Sequence, residues 1–215
     1  YQKIRMGVHN LFIHAFVVIM SGKEKNKLSV KELIQAGGFG AIYLVVYFAL
    51  AMLLGFNPIT FFVTGPIAAV VLGTVYMLYI AKVPKRGAIF ILSIFNGFLL
   101  STNFVYAFFI VIALGLIAEL IAGSGKYKSI TRNILSFGVF SCASISVYIG
   151  VLFTREQYLE TAMQYYGTYY SEVLGNILSV RNVILLLIAD FVAGLVGAFI
   201  GKKLLKKHFE RAGIV

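Results

Sequence analysis

The 215-residue sequence contains no tryptophan, one cysteine, three prolines and only eight acidic residues. The lone Cys142 excludes an internal disulfide and, set in an apolar run, reads as a structural thiol rather than a nucleophile. Charged residues make up 13% of the chain, where a soluble domain carries roughly 25%. With 60% hydrophobic residues and a mean hydropathy of +0.91, a water-soluble monomer is excluded. Two of the three histidines, His9 and His14, stand at i and i+5, a poor spacing for a shared metal. Paired carboxylates, an HExxH pattern and a serine with an accessible base are missing from the apolar runs, which argues against an intramembrane enzyme. A phosphate-binding loop is missing too, so ATP dependence would have to come from other subunits.

What the chain does have is long apolar runs. They occupy about 33–54, 59–81, 88–122, 134–153 and 182–201, and about 20 residues of helix cross a hydrocarbon core. The third run is too long for one crossing and carries Ser101, Thr102 and Asn103 at its middle, so it divides into helices 88–101 and 104–122 joined by a tight hairpin. The expected architecture is an all-α integral membrane protein, a six-transmembrane-helix bundle with both termini cytoplasmic. Residues 1–28 form an N-terminal cytoplasmic or interfacial segment, 29–207 the membrane domain and 208–215 a cytoplasmic tail. Met6–Met20 is apolar but too short to span; it reads either as an interfacial helix or as sequence preceding a chain start at Met20.

Basic residues test that count, because cytoplasmic loops are enriched in Lys and Arg. With six crossings, 17 of the 19 fall on the inner side and only Arg155 and Arg181 outside; reading 88–122 as one helix would move Lys126, Lys128 and Arg132 to the outer face. The net charge of +11 is therefore an orientation signal with some attraction for anionic lipid headgroups. The basic loops carry few interleaved aromatics, chiefly Tyr127 between Lys126 and Lys128, which argues against nucleic-acid binding.

The first two outer connections, Gly55–Pro58 and Ser101–Asn103, are tiny, whereas 154–181 is long and polar and carries Tyr158, Tyr165, Tyr166, Tyr169 and Tyr170. Such a segment reads as an extracellular cap. Tyrosine suits a small, partly aromatic ligand, and it equally suits an interfacial belt. Asp190 lies at the centre of the last run, where an unpaired carboxylate costs about 2.5–3.5 kcal/mol, so it is expected to face the bundle on the same side as Gly194, Gly197 and Gly201. A helix-to-helix hydrogen bond and ion coupling are both open to it. Glu119, close to Lys126 and Lys128, reads as an interfacial ion pair. Asn96 and the Gly65-Pro66 pair are further polar or bent points. Gly65, Ala69 and Gly73 make a second close-packing face, and two overlapping small-residue pairs, Ala36 with Gly40 and Gly37 with Ala41, open the first helix. The latter patch fits either packing within the bundle or docking of another membrane protein.

Together these features resemble the substrate-binding subunits of energy-coupling factor (ECF) transporters, and more narrowly the Trep_Strep or MptD-like group. AGGFGAIYLVVYF (36–48), FNPITFFVTGPIAAVVLG (56–73) and IADFVAGLVGAFIGKKLLKKHFERAG (188–213) carry the likeness, which runs from about Leu28 to Lys207. The resemblance implies a bacterial cell-membrane protein that captures a vitamin, cofactor precursor or similar micronutrient. It then docks on a transmembrane coupling subunit driven by two ATPases, which alone use ATP. The family's docking motif, Ala-x-x-x-Ala, falls on Gly37 and Ala41, with Ala36 and Gly40 as the other register; glycine for alanine departs from the pattern. Family binding sites lie at the outer ends of helices four to six, which implicates Tyr106, Tyr148, Tyr165, Tyr166, Tyr169, Tyr170, Asn176, Arg181 and Asn182. The rival reading is a self-sufficient secondary carrier using Asp190 for ion coupling, for which inverted repeats are expected and no clear self-similarity is seen.

Overall fold

A computed structural model describes residues 28–102 and 104–206; the segment before Leu28, Asn103 and the end of the chain lie outside the described residues. Those described are helical wherever they are regular. The elements are α1 (Val30–Gly55), α2 (Pro58–Phe62), α3 (Thr64–Lys82), α4 (Ala88–Leu100), α5 (Tyr106–Ser124), α6 (Ile130–Ser141), a single 3₁₀ turn (Cys142–Ser144), α7 (Ile145–Phe153), α8 (Arg155–Tyr166), α9 (Thr168–Ile177) and α10 (Val180–Leu204). Among the described residues, five helical stretches are long and apolar enough to cross a membrane: α1, α3, α5, α6 with α7 (Ile130–Phe153), and α10. The sixth apolar helix, α4, has 13 residues, about 20 Å of helix against a hydrocarbon core of about 30 Å.

Local chemistry sets the element boundaries. Ser29 and Glu32 form a reciprocal capping box at the start of α1, Ser29 Oγ accepting from the Glu32 amide at 3.3 Å and Glu32 Oε2 accepting from the Ser29 amide at 2.8 Å. Glu32 also pairs with Lys85 at 3.2 Å, tying that end of α1 to the connection between α3 and α4. The apolar run 59–81 is not one helix. Asn57 caps the five-residue α2, with Pro58 in its first turn, and the helix stops at Val63. Pro66 explains the stop: it has no N–H to donate to Phe62, and its ring would crowd that carbonyl. The stretch 130–153 is likewise broken, by the 3₁₀ turn through Cys142, Ala143 and Ser144.

The hairpin of α4 and α5 is antiparallel. Side chains added at Gly97 and Gly115 would strike Phe108 and Ser93 (2.9 and 2.3 Å), so bulk on each helix fills a glycine gap on the other. A very close approach joins α3 to α10. A Cβ at Gly73 would lie 2.1 Å from the Gly197 carbonyl carbon, and one at Gly197 would lie 2.3 Å from the Ala69 carbonyl oxygen. The two helices run parallel and touch backbone to backbone, which only glycine permits. Around them a core forms from Leu72, Tyr76, Tyr79, Phe137 and Phe140, with the Tyr76 and Ser136 hydroxyls 2.7 Å apart and Ser136 donating to the Ala118 carbonyl at 2.7 Å. In contrast, α1 leaves most of its surface open, with Leu33, Ile34, Ile42, Val45, Phe48, Met52 and Leu53 exposed.

Gly73→Val is expected to destabilise the bundle by about 1–3 kcal/mol through overpacking. Gly37→Val, where an added Cβ meets nothing within 4 Å, is expected to leave stability within about 0.5 kcal/mol of the parent. Thermal unfolding of both variants in detergent checks the contrast.

Candidate functional site

Where α1, the α2–α3 break, the end of α4 and the α6–α7 junction meet, they enclose a mostly apolar cleft of about 200 Å³. Tyr47, Phe48 and Ala51 contribute one face of α1; Phe61 and Thr64 come from either side of the Val63 break; Leu99, Leu100 and Thr102 close a third side. Ser144, Val147 and Tyr148, at i, i+3 and i+4, form the fourth. The sequence positions these groups through its two helix interruptions: without the proline-induced break Phe61 and Thr64 would continue one rod, and the 3₁₀ turn sets Ser144 at the joint. Phe61 and Phe62 pack edge-on against Tyr148, at centroid distances of 5.8 and 5.3 Å.

Of the five hydroxyl-bearing residues in the lining, Tyr47, Thr64, Thr102, Ser144 and Tyr148, three have their protons already committed. Tyr148 donates to the Phe61 carbonyl at 2.6 Å, Thr64 donates to the Thr60 carbonyl at 3.0 Å, and Ser144 donates to Asp190 Oδ2. Asp190 itself is completely buried behind Ser144. Ser141 donates to the Asp190 backbone carbonyl at 2.8 Å, while Asp190 Oδ1 has no hydrogen-bond partner among the described residues. Gly65 makes room for this group, since a Cβ there would lie 2.6 Å from both Asp190 Oδ1 and Ser144 Oγ. Tyr43, Tyr47 and Tyr148 are within electrostatic reach of the carboxylate.

Helices α8 and α9 form a hairpin over this end of the bundle. Gly167, at φ +87° and ψ 169°, makes the turn between them in a conformation that a side chain would strain. Ala162, Tyr170 and Leu174 pack with Phe61, Tyr158 and Leu159. The Tyr170 hydroxyl donates to the Gly55 carbonyl at 2.9 Å, and Arg155 Nη2 donates to the Gly175 carbonyl at 2.7 Å. Burial pushes the Tyr170 hydroxyl above its ordinary range.

Of the nine residues that the sequence nominates for ligand binding, Tyr148 alone lines the cleft. Tyr106, Tyr165, Tyr166 and Tyr169 are exposed, Tyr166 stacking on Tyr170 at 4.7 Å. Tyr170 is buried and holds the cap, as described above. Asn176 and Arg181 are exposed, and Asn182 is spent on the entry to α10, its Nδ2 donating to the Ile177 carbonyl at 2.7 Å. Sequence reasoning missed Tyr47, Phe61, Thr64 and Ser144 as a group; only the Gly65-Pro66 interruption signalled that neighbourhood.

The buried polar residues divide. Asn96 is buried with Oδ1 unpartnered, outside the cleft lining. Glu119 corrects its expected pairing with Lys126 or Lys128. It is buried and accepts from the Gly87 amide at 2.9 Å, the Phe90 amide at 3.1 Å and the Tyr127 hydroxyl. The amides at the start of α4 satisfy the carboxylate, so it turns inward rather than reaching for water. The small-residue pairs at the start of α1 also divide. Ala36 and Gly40 face the bundle, where a Cβ at Gly40 would lie 2.9 Å from the Phe95 ring, whereas Gly37 is half-buried with open space beside it among the described residues and Ala41 is exposed. Among the described residues no cluster of three or more His, Cys, Asp or Glu side chains forms a metal site.

A family model described as a hypothetical bacterial integral membrane protein (Trep_Strep) matches residues 30–211. No curated protein and no solved structure matches the chain.

Tyr170→Phe removes the cap's hydrogen bond to Gly55 and is expected to cost about 1 kcal/mol locally. Amide hydrogen exchange across residues 155–177 should then quicken about fivefold, with α3 and α10 unaffected.

Proposed function

Because the chain belongs to the Trep_Strep family of bacterial integral membrane proteins, we propose that it is the membrane-embedded substrate-binding subunit of an ECF-type ABC transporter. It captures a small micronutrient at the outer face of the bacterial cell membrane, a vitamin, a cofactor precursor or a similar molecule. Transport then depends on a transmembrane coupling subunit and two ATPase subunits. In this reading the five long spans and the short α4 make six crossings, both termini are cytoplasmic, and 17 of the 19 Lys and Arg residues lie on the inner side. The cleft then opens in the outer half of the bundle beneath the α8–α9 cap, and α4, shorter than the hydrocarbon thickness, reaches only as far as the cleft mouth.

The observation that carries the reading is the division of labour along α1. Tyr47, Phe48 and Ala51 wall the cleft at one end of this helix, and Gly37 and Ala41 leave a smooth, open strip at the other. One helix therefore connects a ligand site to a surface that another helix can approach closely. Ala36 and Gly40 are already used inside the bundle, so Gly37 and Ala41 are the docking pair.

The test is co-expression of the tagged chain with a bacterial coupling subunit and its two ATPases. A stoichiometric complex is expected. Gly37→Leu or Ala41→Leu should abolish the complex and transport while ligand binding by the isolated subunit stays within about twofold of the parent. Equal loss of binding and docking would contradict the role given to α1. The unpartnered Asp190 Oδ1 favours one second reading, a self-sufficient carrier that couples to an ion through Asp190. Solute uptake into vesicles without the ATPase module, abolished by Asp190→Asn, would establish that carrier instead.

A further inference from the structure

The walls of the cleft constrain the chemistry of what enters it. Ser144, Thr64 and Tyr148 each spend their only hydroxyl proton on an acceptor inside the protein. Toward the cleft these three oxygens have only lone pairs to offer. At these three oxygens a ligand carbonyl, carboxylate or phosphate would meet acceptor against acceptor, and a buried acceptor without a donor costs about 1–3 kcal/mol; the Tyr47 and Thr102 hydroxyls, also in the lining, can turn to serve either kind of group. A ligand N–H group meets the reverse situation.

Charge points the same way. The Asp190 carboxylate lies behind Ser144, fully buried, with Oδ1 unpartnered among the described residues. No lysine, arginine or histidine is buried among the described residues, so the cleft has no buried cation to offset it. When ionised opposite a bound cation, Asp190 also strengthens Ser144 Oγ as an acceptor, because a hydroxyl that donates to an anion carries more negative charge on its oxygen. The apolar part of the lining includes the rings of Tyr47, Phe48, Phe61 and Tyr148, whose faces attract cations.

We propose that this cleft selects a small organic cation, a protonated amine or amidinium carried on a compact apolar or aromatic body. Its N–H groups donate to Ser144, Thr64 and Tyr148, and Asp190 supplies the counter-charge. This specificity rests on the reading of the cleft as the substrate site.

The experiment measures binding of four probes of one shape to the purified full chain in nanodiscs: benzylamine, benzyltrimethylammonium, benzyl alcohol and benzoate. Benzylamine, protonated at pH 7, is expected to bind about tenfold or more tightly than benzyl alcohol, with benzoate weakest. Benzyltrimethylammonium, a cation without N–H donors, should fall between benzylamine and benzyl alcohol. Asp190→Asn should bring benzylamine and benzyl alcohol to within about twofold of each other. Should that variant fail to fold, Phe48→Ala, at an exposed lip of the cleft, should weaken both cationic probes more than the alcohol. Equal or tighter binding of benzyl alcohol or benzoate, no binding of either cation at millimolar concentration, or a cation preference unchanged in the variant that folds would each overturn the proposal. So would the same stabilisation by Na⁺ alone. Complex formation with the coupling module is scored on the same preparations. Cation preference without a complex removes the subunit reading and keeps this one; a complex without cation preference does the reverse.

Discussion

The contact on which the rest of the structure depends is the glycine crossing of α3 and α10. Gly73, Gly197 and Gly201 let two backbones meet where a single methyl group would collide, and in a bilayer such packing takes the place of the hydrophobic drive that assembles a soluble core. Because the helices run parallel from this contact, their earlier turns also stay close. Gly65 therefore comes beside Asp190, and the α6–α7 joint supplies Ser144 to the same point. The polar centre behind the cleft follows from an apolar contact about two helical turns away.

Membrane helices are legible in sequence to the degree that one chain segment decides them. The long apolar runs, the turn at Ser101 and the inward orientation of Asp190 are all properties of a single segment in lipid, where hydropathy and the cost of a bare charge act locally. The two glycine faces were visible for the same reason, though not that they would face each other. The cleft was not legible because it takes Tyr47, Phe61, Thr64, Leu99 and Ser144 from four separate stretches of chain. The tyrosines at 165–170, conspicuous because they cluster in sequence, gave no clue to it: on α8 and α9 three of them are exposed and Tyr170 is buried. Glu119 failed for a related reason. Two of its partners, the Gly87 and Phe90 amides, lie about 30 residues back along the chain, and the near segment reaches it through the Tyr127 hydroxyl rather than through Lys126 or Lys128.

The two registers at the start of α1 could not be separated by spacing, since each has the same four-residue period. Packing separates them. Phe95 occupies the gap at Gly40, which removes that register from any outside partner, while the Gly37 register meets nothing. Small residues thus have opposite uses on adjacent faces of one helix, closing the bundle on one and leaving a shallow strip on the other.

The bond between Ser144 and Asp190 also bears on how such a chain is made. The two residues are 46 positions apart, with Ser144 first, so during synthesis the hydroxyl is already in the bilayer when the carboxylate arrives. Helix α10, which carries both Asp190 and one half of the glycine crossing, therefore enters a membrane where its polar partner is waiting. Until then α3 presents an uncovered glycine groove to lipid. Closure of the described bundle is deferred to α10, and a ribosome stalled before residue 180 would leave α1, α3, α5 and α6 with α7 inserted around a vacant seat.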